Sequence, residues 1–156
     1  MVHALALAIG IIAGLRAMTA PAAVSWGARL GWLDVTGTWF AFLGTAVTSW
    51  VFTVLAIGEL IGDQLPKTPS RKAPIQFCTR IVMGVLSGGA IGAGHGVLAA
   101  GAVLGGIGAV IGTFGGSAVR SKLAVIFGKD MLAAFIEDAV AIFGAFLIMW
   151  TFRPRG

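Results

Sequence analysis

Charge is scarce in this chain. Only 11% of its 156 residues are Asp, Glu, Lys or Arg, against about 25% in ordinary soluble domains. The polar surface needed to face water on all sides is missing. With 58% hydrophobic residues and a mean hydropathy of +0.96, a lipid-facing belt accounts for the deficit. Cysteine is nearly absent as well. Cys78 stands alone, which rules out an intrachain disulfide and any cysteine-based zinc site; a small buried hydrophobe is its simplest role. The apolar start, Met1 to Leu15, has no Lys or Arg ahead of it. It therefore lacks the basic leader of a signal peptide and reads as part of the mature fold.

Basic residues exceed acidic ones, giving a net charge of +5. They lie in short clusters between apolar runs, the pattern that sets orientation in a membrane, and form no basic stripe of the kind nucleic acid requires. The bilayer is the expected partner, and nucleic acid is not. The apolar runs do not alternate at period two, so a β-barrel is excluded in favour of helices.

What is abundant is glycine. Ile81 to Val119 is a run of 39 residues without a charge and holds 13 of the 24 glycines. Gly84, Gly88, Gly92 and Gly96 recur at every fourth position, as do Gly108, Gly112 and Gly116. Spacing of this kind lets helix backbones approach closely. It predicts a glycine zipper and, with so few spans, a homo-oligomer. A helix needs about 20 apolar residues to span a bilayer, so the run must hold two helices, broken at Gly94-His95-Gly96.

The reading is a single all-α, polytopic transmembrane domain of about five helices, over residues 4–25, 37–62, 75–94, 97–119 and 131–152. The basic loops, with Lys67, Arg71, Lys72 and Arg80 in one and Arg120, Lys122 and Lys129 in the other, then fall on one side. The positive-inside rule makes that side cytoplasmic, with the N-terminus inside and the C-terminus outside. Trp26, Trp32, Trp39 and Trp150 fall near the outer helix ends as an aromatic belt, and Arg153 and Arg155 are dissenting charges there. Gly10 and Gly14 before Gly31-Trp32-Leu33-Asp34 are echoed by Gly108 and Gly112 before Gly128-Lys129-Asp130. In this topology that echo reads as an inverted repeat, a transporter signature.

Charges inside a membrane mark function by default. Arg16 lies mid-helix in Gly14-Leu15-Arg16-Ala17-Met18-Thr19-Ala20-Pro21. Pro21 disturbs the helix there, so an unwound Ala17 to Pro21 is expected beside the guanidinium, with Thr19 in the site. Glu59 and Asp63, four residues apart, share a helix face. Glu137 and Asp138 lie about two turns inside the last helix. These four carboxylates could converge on Arg16 as counter-charges, or take a proton or a divalent cation; no spacing is diagnostic of a metal, and no cofactor is expected. Lys67, Arg71 and Lys72 could meet lipid phosphates, though a topology signal stiffened by Pro66, Pro69 and Pro74 explains them more simply. His95 reads as a solvated turn residue. No phosphate loop and no Ser/His/Asp or Cys/His set is present, so an enzyme is not the first reading.

Gly14-Leu15-Arg16-Ala17, Glu59-Leu60-Ile61-Gly62-Asp63-Gln64-Leu65-Pro66 and Glu137-Asp138-Ala139-Val140 together resemble an uncharacterised bacterial family of small integral membrane proteins, catalogued as a domain of unknown function. The resemblance covers most of the chain and implies a multi-pass protein of the bacterial inner membrane; it carries no activity with it. The loop Thr68 to Lys72 departs from the family pattern. The functional expectation is a transporter or channel-like protein for an ion or small solute, built on Arg16, Thr19, Glu59, Asp63, Glu137 and Asp138. Two alternatives stand beside it: a lipid or polyprenyl-phosphate translocator or metal-dependent lipid-active protein, and a structural scaffold subunit.

Overall fold

The computed structural model describes residues 1–63 and 73–154. They form six α-helices: α1 (Val2–Leu15), α2 (Thr19–Arg29), α3 (Ala46–Gly62), α4 (Pro74–Ala93), α5 (Leu98–Phe127) and α6 (Asp130–Trp150), with a short 3-10 turn at Ala41–Gly44 and no strand among the described residues. Three helices, α4, α5 and α6, are long and apolar enough to cross a membrane, while α1 and α3 are shorter apolar helices. Local chemistry sets several ends. Thr45 caps α3 by accepting from the Thr48 N–H. Pro74 opens α4, where its missing N–H costs nothing. Gly128, at φ +65°, stops α5 in the left-handed region that favours glycine.

Backbone contact at glycine holds the centre together. A Cβ on Gly105 of α5 would lie 2.1 Å from the Gly84 carbonyl oxygen of α4, and one on Gly10 of α1 would lie 2.2 Å from the Gly105 carbonyl oxygen. No side chain fits in such a seam, so small residues are obligatory there. The register also gives direction. Gly84 and Gly92 oppose Gly105 and Gly101, so α4 and α5 are antiparallel. Gly10 opposes Gly105 and Gly14 opposes Gly112, so α1 and α5 are parallel.

The chain then turns back. Along α6, Ile12 lies against Gly144 and Arg16 against Asp138, whereas Gly27 of α2 lies against Met149 and Trp32 stacks edge-on with Trp150 at 5.8 Å. Thus α1 runs down the bundle, the chain bends at Arg16, and α2 returns to the end it came from. By Asp34 it has reached the α4–α5 turn, where its carbonyl oxygen would be 2.6 Å from a Cβ on Gly94. There the Asp34 carboxylate accepts from the Thr36 hydroxyl (2.5 Å) and the Thr36 N–H (2.9 Å), which holds its carboxyl below the usual range. Next α3 descends beside α2, tied by the Trp26 indole N–H donating to Thr53 (2.9 Å), and ends level with the bend.

This arrangement corrects several expectations. Residues 4–25 form two helices of opposite direction instead of one span. The break falls at Arg16 to Met18, where Arg16 is extended (φ −140°, ψ 108°). Pro21 does not unwind the chain: it is the third residue of α2, a position whose N–H has no intrahelical partner in any case. Both ends of the described chain lie at the α4–α5 turn end of the bundle: the start of α1 runs beside the start of α5, and His95 packs on Phe152 (5.3 Å). Because α1 and α5 are parallel, the glycine echo between them is not an inverted repeat. The second apolar run becomes helical only from Ala46, and α5 continues to Phe127, which carries Arg120 into a helix. Cys78 is exposed instead of buried. The break at Gly94 to Gly96 is where the sequence puts it, with Gly96 at φ +72°.

Candidate functional site

A helix interrupted inside a bundle leaves N–H groups at one broken end and C=O groups at the other. Away from water each is costly unless paired. Here each end meets a side chain of complementary charge. Glu59, on the last turn of α3, accepts from the Ala17 N–H through Oε1 and from the Met18 N–H through Oε2, both at 2.8 Å. It supplies the negative charge that the start of α2 otherwise lacks. Arg80 of α4, 1% exposed, donates through Nη1 to the carbonyl oxygens of Gly14 (2.7 Å) and Leu15 (2.6 Å). The Thr113 hydroxyl of α5 lies 3.3 Å from the Gly14 carbonyl oxygen and donates to Ala109 at 2.8 Å. Arg80 Nη2 lies 3.5 Å from Glu59 Oε1, joining the two caps.

Arg16 sits at the bend with no exposed surface. Its Nε donates to Asp138 Oδ1 at 2.6 Å, its Nη2 pairs with the same carboxylate, and its Nη1 donates to Asp63 Oδ2. A buried guanidinium is tolerable only when paired and hydrogen-bonded, and its planar fork suits two carboxylates arriving from different helices.

The site therefore joins all six α-helices, α5 through Thr113 alone. Of the residues picked out from sequence, Arg16, Glu59, Asp63 and Asp138 meet there. Glu137 does not join them. Successive helical residues point about 100° apart, and Glu137 turns to Arg120 of α5, at 3.7 Å, beside a cavity of about 200 Å³. Arg120 in turn grips Asp130 through Nε (3.0 Å) and Nη2 (2.6 Å). Thr19 is buried in the first turn of α2 and lines a separate apolar groove of about 410 Å³. Among the described residues no group of three or more His, Cys, Asp or Glu side chains is placed to hold a metal ion. Lys67, Arg71 and Lys72, the lipid-phosphate expectation, lie outside the described residues. His95 is an exposed turn residue whose Nδ1 lies 3.0 Å from the Ile91 carbonyl oxygen.

Arg80 and Thr113 belong to the site and were not singled out from sequence. A signal for Arg80 existed: it continues the four-residue spacing of Gly84, Gly88 and Gly92, so it shares their packed face. No family model, curated protein or solved structure matches the chain.

Proposed function

We propose that this protein is a small membrane transporter for an ion or small solute, with the Arg16 bend as its working site. The observation that carries the reading is the bend itself: the tip of a helical hairpin whose two freed helix ends and central guanidinium meet four ionisable partners from three other helices. Broken helix ends near mid-membrane are where transporters bind ions and charged groups. Carboxylates that hold donors can exchange them. Protonation of Glu59 weakens its grip on the Ala17 and Met18 N–H groups, and protonation of Asp63 or Asp138 loosens Arg16. Either event presents donors to an anionic group, so proton binding and solute binding are coupled at one place.

In the membrane, α4, α5 and α6 cross, the α1–α2 hairpin enters and leaves by one face, and α3 descends from that face to the level of the bend. Arg120, Lys122 and Lys129 mark the end where α5 meets α6, and the positive-inside rule makes it cytoplasmic. Both termini then lie outside, the reverse of the five-span orientation for the N-terminus. The resemblance of the three motifs to a bacterial membrane family supports the bacterial cytoplasmic membrane.

The test is flux. Protein reconstituted into liposomes with an internal pH dye is expected to give solute-linked proton movement that is lost in Arg16→Ala and altered in pH dependence in Glu59→Gln. Absence of flux from the wild-type protein, with Arg16→Ala only less stable, overturns the proposal. That outcome would favour a scaffold subunit, a second reading supported by the closed ion pairing of Arg16.

A further inference from the structure

Two features remain outside the bend. One is the groove of about 410 Å³, lined by Ala23 and Trp26 of α2, Thr53 and Ala56 of α3, and Ile142 and Phe146 of α6 among others. It exists because α3 packs on α2 but makes no substantial contact with α6, so the bundle is open sideways there. The other is the pair of basic residues at the end that the positive-inside rule leaves unexplained. The Arg29 guanidinium lies over the Trp26 ring at 5.7 Å, and that of Arg153 over the Trp150 ring at 4.5 Å. Both rings belong to the groove's mouth: Trp26 lines it, and Trp150 packs on Trp32 and Phe146, which also line it.

We propose that the groove and these two arginines form a site for one anionic phospholipid, in the leaflet that the chain termini face. One acyl chain lies along α2 between α3 and α6, and the phosphate meets Arg29 and Arg153. Chemistry selects the occupant: the wall is almost wholly apolar, as a hydrocarbon chain requires, and its polar end carries two cations held on aromatic rings at interface height, as an anionic headgroup requires and an apolar helix of a second copy does not. Arg153, one of the charges that dissent from the positive-inside rule, thereby gains a role. The proposal rests on the membrane placement and not on transport at the bend.

Native mass spectrometry of the full chain in mild detergent tests it, with dioleoyl phosphatidylglycerol and dioleoyl phosphatidylcholine as probes of equal chains and different charge. One phosphatidylglycerol is expected to be retained per chain in preference to phosphatidylcholine. Arg29→Ala with Arg153→Ala should weaken phosphatidylglycerol about 30-fold, from two basic contacts of the usual strength, while Arg29→Lys with Arg153→Lys keeps most of the preference. Ala23→Phe, which fills the groove, should reduce retention of both lipids. Equal retention of the two lipids by the wild-type protein, indifference to Arg29→Ala with Arg153→Ala or to Ala23→Phe in variants with unchanged helicity, or displacement of lipid by a dimer that Ala23→Phe abolishes would each overturn it. Because none of these residues touches the bend, flux and lipid retention fail separately.

Discussion

Replacing Arg16 with methionine removes the charge at the bend while keeping a long apolar side chain in its place. Asp63 and Asp138 are then left inside the bundle with no cation between them. Removing one partner of a buried ion pair costs about 3–5 kcal/mol, chiefly because the other charge stays buried and unpaired. The side chains of Asp63 and Asp138 keep 17% and 11% exposure, which places the cost near the lower end, about 3 kcal/mol. That is on the order of a hundredfold in the folding equilibrium. The companion variant carries Arg16→Met, Asp63→Asn and Asp138→Asn together. Neutral replacement of a whole buried charge group is often without cost, so this variant should recover to within about 1 kcal/mol of the wild type. Reversible unfolding in mixed micelles, followed by tryptophan fluorescence, measures both. If Arg16→Met is as stable as the wild type, or if the triple variant is no better than the single one, the two carboxylates are not the partners of Arg16 and the account of the bend is wrong.

Three further outcomes are expected. Gly105→Ala forces a methyl group against the Gly84 carbonyl and should cost about 1–3 kcal/mol by overpacking, read in the same unfolding assay. Gly58→Ala, which meets nothing within 4 Å, should instead stabilise α3 by roughly 0.5–1 kcal/mol; equal effects at the two positions would contradict the backbone seam. Glu59→Ala strips the acceptor from the Ala17 and Met18 N–H groups, at about 1–3 kcal/mol for each buried donor. Hydrogen exchange at those two amides should therefore accelerate strongly, and by less in Glu59→Gln, which retains one oxygen; protection that survives Glu59→Ala would show that the carboxylate is not their cap.

Composition was enough to point to a helical chain with helices apolar enough to cross a membrane, because charge scarcity and long apolar runs act on the chain as a whole. The α4–α5 turn was legible for a local reason: a left-handed turn position favours glycine, and Gly96 supplies it. Arg16, Glu59, Asp63 and Asp138 could be picked out because an isolated charge in an apolar run is conspicuous by itself. The direction of α2 was not legible. Residues 4–25 have the length and hydropathy of one span, and nothing local says that the chain reverses at Arg16. The reversal depends on Glu59 and Arg80, about 40 and 65 residues away, which stabilise the freed backbone groups. Pro21 misled for a related reason: proline breaks a helix interior but suits a helix start, and which applies depends on where the preceding break falls. Glu137 was grouped with Asp138 by adjacency, whereas adjacent helical residues face different neighbours. Arg80 was counted with the loop charges although the expected span 75–94 already contained it, because a cation near a helix end reads first as a topology signal and not as a member of the packed glycine face.

The central claim is that the chain enters the membrane, turns at Arg16 and leaves by the same face. Side-specific labelling tests it most directly. In a Cys78→Ser background, His3→Cys, His95→Cys and Lys129→Cys each place one thiol at an exposed position, and a membrane-impermeant maleimide is applied to one face of oriented vesicles at a time. Residues 3 and 95 are expected to react from the same face, and residue 129 only from the other. Reaction of residue 3 from the face that labels residue 129 would mean that the first segment crosses the membrane, and would contradict the hairpin and the site built on it.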